Sequence, residues 1–304
     1  MYYQPCIPGD WGQVQSTAGI VAATEELITE EDTCKLFLRS WKTDSSQVLL
    51  ILHGLGGHSG WYIDMGNVLS SRGITVYAME HRGFGRSGGL PGHIDDYHTY
   101  VEDIRFVIAE IRKRHPGAAI YVLGHSMGGI FATYFAAKYG SKLNGVLFLN
   151  PWIEDTSSIS LLTIVGIFLG GIIKSKRYWL LAGGSETMTT NPEAAQMLQA
   201  DSFWRRSETA SFLVQILFMR LGVLGKAKHV TIPALVMQSE ADKAVVVSAA
   251  HKFYQALASN DKTWKTYPNY AHDSEFEQDR SLLDSDIVTW IGAHAPATRE
   301  VSSH

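Results

Sequence analysis

Residues Ile120–Ile130 read IYVLGHSMGGI, and the fold can be built outward from their punctuation. Ile120-Tyr121-Val122-Leu123 is a β-branched and aromatic run of the kind that forms a buried strand. Gly124-His125-Ser126-Met127-Gly128-Gly129 interrupts it, and Ile130, Phe131, Tyr134 and Phe135 then recur at helical spacing. Strand, glycine turn and helix form the context in which G-x-S-x-G makes a nucleophile elbow. The serine hydroxyl then stands above the sheet, and the flanking glycines let the backbone crowd without a Cβ clash. Ser126 is therefore the candidate nucleophile. A second copy of the pattern, Gly85-Arg86-Ser87-Gly88-Gly89, runs into Leu90-Pro91-Gly92, where no helix can start, so Ser87 reads as a loop serine.

Around the elbow, strands alternate with helices. Lys35–Trp41 reads as an outer strand, and residues 1–30 are expected to cover a sheet edge. Val48–Leu52, Ile74–Met79 and Val146–Leu149 are continuous apolar runs, as expected of strands buried on both faces. A helix carrying Trp61, Met65 and Leu69 separates the first two. The glycine loop His81–Gly92 and a helix over Tyr97–Arg114, with Val101, Ile104, Ile108 and Ile111 as its stripe, lead to the elbow. This rhythm predicts an α/β protein with a mostly parallel central sheet flanked by helices. It breaks at Asn150-Pro151. From Trp152 to about Lys228 no buried strand is apparent, only two apolar blocks, Ile159–Ile173 and Phe212–Leu224, with polar Ser185–Arg206 between them. An insertion of that length is usually functional. The expected organisation is a core of residues 1–150 and 229–304, with residues 151–228 inserted after the sixth strand as a helical cap. The sheet resumes at Ala234–Gln238 and Thr263–Tyr267, with helices at Ser248–Ala258 and Ser281–His294.

Composition excludes several classes. The 304 residues are 45% hydrophobic and 18% charged, which suits a large core and not a disordered chain. A net charge of −4, with no long run of like charge, gives no sign of a nucleic-acid partner. Cys6 and Cys34 are too few for a disulfide framework or a metal site, which suggests a reducing cytosol. MYYQPCIPGDWGQ lacks the charged and apolar regions of a secretory signal. Ile159–Ile173 is shorter than the ~20 residues a spanning helix needs and is weakened by Gly166, Gly170 and Gly171. Its apolar length is compatible with a surface that faces lipid or ligand.

A serine hydroxyl needs a base to take its proton and a carboxylate to orient that base. In open parallel sheets such groups gather at the carboxyl ends of strands. That rule selects Asp242, just past Ala234–Gln238, with Glu240 as the alternative acid. It selects His272, just past Thr263–Tyr267, from the twelve histidines. His229, His251 and His294 lie on helices or before a strand, and His125 is expected to pack within the elbow. The order Ser126, Asp242, His272 is that of an α/β-hydrolase triad. Oxyanion donors are expected from the backbone N–H groups of Met127 and of Leu55, which follows His53-Gly54. The loop His53–His58 lacks the Lys-Ser/Thr and the glycine spacing of a phosphate cradle.

HGLGGHSGWY, EHRGFGRSGG, GHSMGG, NPW, SEAD and YAHD, in that order, resemble the monoacylglycerol lipase and lysophospholipase group of α/β-hydrolases from about Lys35 to Ile291. The resemblance implies esterase chemistry on a small-molecule ester of a single acyl chain, with no metal or organic cofactor. It also implies an acyl tunnel in the cap and transient contact of the cap with membranes, in an otherwise cytoplasmic protein. His53, Gly54, Trp152, Ile153, Ile164 and Phe168 are the candidate substrate-binding residues on this reading. One departure stands out. Lipases of this group often carry Glu and Arg near the glycerol site, at positions that are Gly57 and Trp61 here, which widens the range of plausible alcohols. Thioester hydrolysis or acyl transfer would use the same triad, and a non-catalytic relative would be expected to have lost one member.

Overall fold

The computed structural model describes residues 21–29, 32–156, 161–180 and 187–295. Its centre is an eight-stranded sheet in the order β1-β2-β4-β3-β5-β6-β9-β10. β1 (Thr24–Thr29) and β2 (Lys35–Trp41) form an antiparallel edge. β4 (Thr75–Met79), β3 (Gln47–Leu52), β5 (Ala119–His125), β6 (Gly145–Leu149), β9 (Ala234–Ser239) and β10 (Lys262–Tyr267) run parallel. The parallel strands β4, β5 and β6 are buried at every position, which is why they read as continuous apolar runs instead of alternating ones. The mostly parallel sheet and flanking helices match the expectation. The edge strand β1 lies within the residues expected to cover that edge, while residues 1–20, including Cys6, lie outside those described.

Two layers of apolar residues cover the sheet. α2 (His98–Arg114), α3 (Met127–Tyr139) and α7 (Val247–Ala256) pack on one face, with Ile104, Ile108, Ile130, Phe131 and Phe253 in the cluster. α1 (Ile63–Ser71) and α8 (Ser281–Ala293) pack on the other, through Met65, Leu69, Leu283 and Ile287. The strand order reverses at β3: β4 lies on one side of it and β5 on the other. The crevice at the carboxyl ends of β3 and β5 is therefore the topological switch point, the usual ligand site of such sheets.

Between β6 and β9 the chain forms α4 (Leu161–Ile172), α5 (Pro192–Ala200) and α6 (Ala210–Ala227). It also forms a short ribbon, β7 (Tyr178–Leu180) against β8 (Ser207–Thr209), which the expectation of a purely helical insertion did not include. Three-residue strands are too short to show any periodicity in sequence. α4 closes on α6 at glycines: a Cβ on Gly171 would lie 2.3 Å from Val214 Cγ2, and one on Gly170 2.8 Å from Ala210 Cβ. Helix α6 is long and apolar enough to cross a membrane by length and composition. Its Phe212, Ile216, Met219 and Val223 are buried in the cluster that also holds α3, as in a core helix.

Glu208 in β8 is fully buried, neither carboxylate oxygen has a hydrogen-bond partner, and burial pushes its pKa up to about 8 despite Arg205 nearby. Such a group is neutral in the folded protein at pH 7 but ionised in the unfolded chain, so it costs stability as pH rises from about 4.5 to about 8. Glu208→Gln is expected to leave thermal stability near the parent value at pH 4–5. At pH 8 it should raise stability by on the order of a few kcal/mol. Melting curves of the two proteins across that pH range check the difference.

Candidate active site

Ser126 links β5 to α3 with φ 51 and ψ −114, a left-handed conformation that costs a non-glycine residue energy. The strain is held by packing on both sides. A Cβ on Gly124 would lie 2.3 Å from the carbonyl oxygen of Gly128, and one on Gly128 would lie 2.1 Å from that of Leu52. The elbow therefore needs glycine two residues before and two after the serine, and G-x-S-x-G is the sequence record of these contacts. The Ser126 N–H donates to Leu149 O of β6 at 2.9 Å, and its carbonyl accepts from Gly129 and Trp152 N–H. The decoy differs in every respect. Ser87 lies in a loop where its hydroxyl donates to Glu80 O at 2.6 Å and accepts from Phe37 N–H at 2.8 Å.

His272 lies in the turn after β10. Its Nε2 is 2.8 Å from Ser126 Oγ and its Nδ1 is 2.7 Å from Asp242 Oδ2. Asp242 Oδ1 accepts from the N–H groups of Ala244 and Val245, so the carboxylate is fixed in the loop after β9. Burial works against the imidazolium, but the Asp242 charge and hydrogen bond outweigh it and hold the His272 pKa above 6.5. Burial likewise opposes the Asp242 anion, and His272 with two backbone N–H groups holds its pKa below the ordinary value. The structure thus brings together Ser126, His272 and Asp242. The alternative acid, Glu240, is used through its backbone, whose N–H donates to Tyr267 O.

The loop after β3 closes over the serine. A Cβ on Gly54 would sit 3.2 Å from Ser126 Cβ, and Gly57 N–H donates to Gly54 O to make a tight turn around Leu55 and Gly56. Met127 opens α3, where the leading N–H groups have no partner within the helix and the dipole favours negative charge. Met127 follows Ser126 at the start of α3, and Leu55 follows Gly54 in the turn that approaches the serine.

Two expectations for substrate contact change. The His53 ring is fully buried: Nδ1 lies 2.7 Å from Gly54 O, and Nε2 accepts from His81 N–H at 3.0 Å. With both nitrogens engaged it props the Gly54–Gly57 turn and offers nothing to a ligand. Phe168 stands exposed, edge-on to the exposed Phe218, on the outer apolar face of the cap. A hydrophobic run does not reveal which of its faces points inward. Trp152 and Ile153 are half-buried directly beyond β6, and the Ile164 side chain lies outside the described residues.

Other polar groups escaped the sequence reading. Asp201 Oδ2 accepts from Trp61 Nε1 at 2.9 Å and pairs with His58 Nε2 at 2.7 Å, tying the inserted segment to the loop after β3. Arg205 N–H donates to Gly56 O beside it. The Trp61 ring would meet a Cβ on Gly57 at 3.1 Å, so the two departures from the lipase pattern fit one another. Behind His272, the fully buried His125 has Nδ1 3.1 Å from Tyr62 OH and Nε2 3.2 Å from His272 O. Burial first, then the proximity of His272, lowers its pKa to about 3 and keeps it neutral. His125, His272 and Asp273 place ligand atoms within 4.8 Å of one another, but both rings are committed to hydrogen bonds, which argues against a metal there.

Gly128→Ala places a methyl against the Leu52 carbonyl, so α3 must move away from β3. The expected cost is at least about 1–3 kcal/mol, with loss of hydrolytic activity exceeding the loss of fold. Denaturant unfolding alongside ester turnover tests this, and an active, equally stable variant would contradict the packing argument.

Comparison with known proteins places this geometry in context. The chain is 28% identical over 254 residues to a monoacylglycerol lipase of Mycolicibacterium smegmatis, covering 83% of this chain and 90% of that protein. It is 27% identical over 263 residues to the human monoglyceride lipase, covering 84% and 86%. The solved monoacylglycerol lipase of Paleococcus ferrophilus superposes with a TM-score of 0.78 at 21% identity, over 86% of this chain and 99% of that one. A soluble variant of the Saccharomyces cerevisiae monoglyceride lipase gives 0.80 at 18% identity, over 94% and 99%. These two structures establish the α/β-hydrolase fold. Residues 43–279 match the family described as "Serine aminopeptidase, S33", and the chain belongs to that family.

Proposed function

We propose that this enzyme hydrolyses carboxylic esters of a single acyl chain, of the monoacylglycerol type, through Ser126, His272 and Asp242. The class, carboxylic ester hydrolase, follows from the family and from relatives named as lipases. The observation that carries the finer reading is the unbroken chain of contacts from Asp242 through His272 to Ser126 Oγ. His272 Nε2 takes the hydroxyl proton as Oγ attacks the ester carbonyl, and Asp242 holds the Nδ1–H tautomer that this requires. The Leu55 and Met127 N–H groups receive the developing oxyanion, each such donor typically contributing ~3 kcal/mol. His272 then protonates the leaving alcohol. The acyl-enzyme is released by a water that His272 deprotonates in turn.

The apolar residues around Trp152 and Ile153 support an acyl site beside Ser126. Gly57 and Trp61 stand where lipases of this group often carry Glu and Arg, which supports a range of small esters beyond those of glycerol. Val165, Phe168, Leu169, Ile172, Phe218 and Leu221 are exposed on α4 and α6. This outer face supports peripheral contact with a lipid surface, from which such a substrate would be drawn.

Ser126→Ala is expected to lower p-nitrophenyl ester hydrolysis by up to about 10⁶-fold and Asp242→Asn by about 10⁴-fold. Near-normal turnover by the alanine variant would refute the assignment, and faster cleavage of acetate than of C8–C12 esters would refute the long acyl site.

The reactive base is neutral His272. Because its pKa is raised, kcat/KM should fall on acidification at a pH above that of an ordinary imidazole. A pH–rate profile places that limb; an inflection below the ordinary histidine range would show that the Asp242 contact does not hold in solution.

A further inference from the structure

The ring of His272 is fixed by Ser126 and Asp242, but those contacts do not fix the backbone that carries it. Its carbonyl is gripped instead by Asn150 Nδ2 at 2.6 Å, with His125 Nε2 at 3.2 Å. Asn150 is the residue immediately after β6, fully buried, with φ 44. A non-glycine residue rarely accepts that conformation, and asparagine is among the few that tolerate it.

The strain aims an amide at three pieces of chain. The Asn150 backbone N–H donates to Met237 O and continues the β6–β9 ladder. Its side-chain Oδ1 accepts from Ser239 N–H at 2.7 Å, taking the place of the next backbone carbonyl where β6 has ended. Nδ2 meets Ser239 Oγ at 3.1 Å and Ser274 Oγ at 2.8 Å as well as the His272 carbonyl. The strand that Asn150 terminates also holds Ser126, through Leu149 O. One amide thus joins the end of β6, the end of β9 that leads to Asp242, and the turn bearing His272.

We infer that Asn150 is a positioning residue that sets the depth of His272 between Ser126 and Asp242, acting through the His272 backbone without touching substrate. This rests on the triad reading above. Aspartate at this position would keep the acceptor for Ser239 but lose the N–H donor, and glycine would keep the backbone conformation but lose the whole amide. A misplacement of the base by about 1 Å can cost about 10²-fold in rate.

Asn150→Gly and Asn150→Asp, assayed on a medium-chain ester, are both expected to lower kcat by about 10²-fold with KM little changed. The far-downfield proton resonance of the His272–Asp242 hydrogen bond should broaden or vanish at a temperature where circular dichroism shows the variants folded. A purely structural role would lower the melting temperature and leave both readouts in place. Unchanged kcat in a folded variant, or a loss seen only in KM with the downfield proton intact, overturns the inference. Ser126→Ala, run in parallel, separates the two claims, because its inactivity upholds the triad whatever Asn150 does.

Discussion

The first turn of α3 lies so close to the end of β3 that a single methyl on Gly128 would overlap the Leu52 carbonyl. This approach brings the loop that follows β3 beside Ser126, which follows β5. It also forces Ser126 into a left-handed conformation at a cost of order 1–3 kcal/mol. The offset comes from α3, where every residue from Met127 to Ala136 is buried. Burying a large apolar side chain is worth ~1.5–3 kcal/mol, so Ile130, Phe131 and Phe135 together outweigh the strain. The elbow is thus stable because the helix behind it is embedded along most of its length.

The same economy explains why some of the molecule could be read from sequence and some could not. Parallel strands buried on both faces leave continuous apolar runs, and the elbow leaves glycines where backbone meets backbone. Asp242 and His272 were accessible through the rule that polar groups gather at strand ends. Applied once more, that rule points to Asn150, which follows β6 and precedes Pro151. Asparagine before proline is also an ordinary turn signal, so the residue pair alone does not mark it. Asp201 had no comparable mark: it lies more than a hundred residues from the His58 and Trp61 it binds, in a polar stretch with no period. Phe168 and His53 failed for a different reason. Residue type indicates that a side chain is apolar or can hydrogen-bond, but the direction in which it points is set by tertiary packing.

The crowd of acids behind the site places a constraint on the base. Asp273 and Glu275 are buried beside His125, with Asp273 Oδ1 3.6 Å from His125 Nε2 and Glu275 Oε1 3.3 Å from His125 Nδ1. Burial raises both carboxyl pKa values. Asp242 already stabilises the imidazolium of His272, and a negative charge on Asp273 would add to it. A full charge on Asp273 would push the histidine further in the same direction and favour the protonated ring. A protonated imidazole cannot accept a proton from a hydroxyl. Desolvation pushes the Asp273 carboxyl up to about 7 and that of Glu275 well above its ordinary range, which limits the charge they add. Asp242 stays ionised in direct contact with the His272 ring. The proposed base is therefore set both by the acid held ionised and by the neighbouring acids whose ionisation burial opposes.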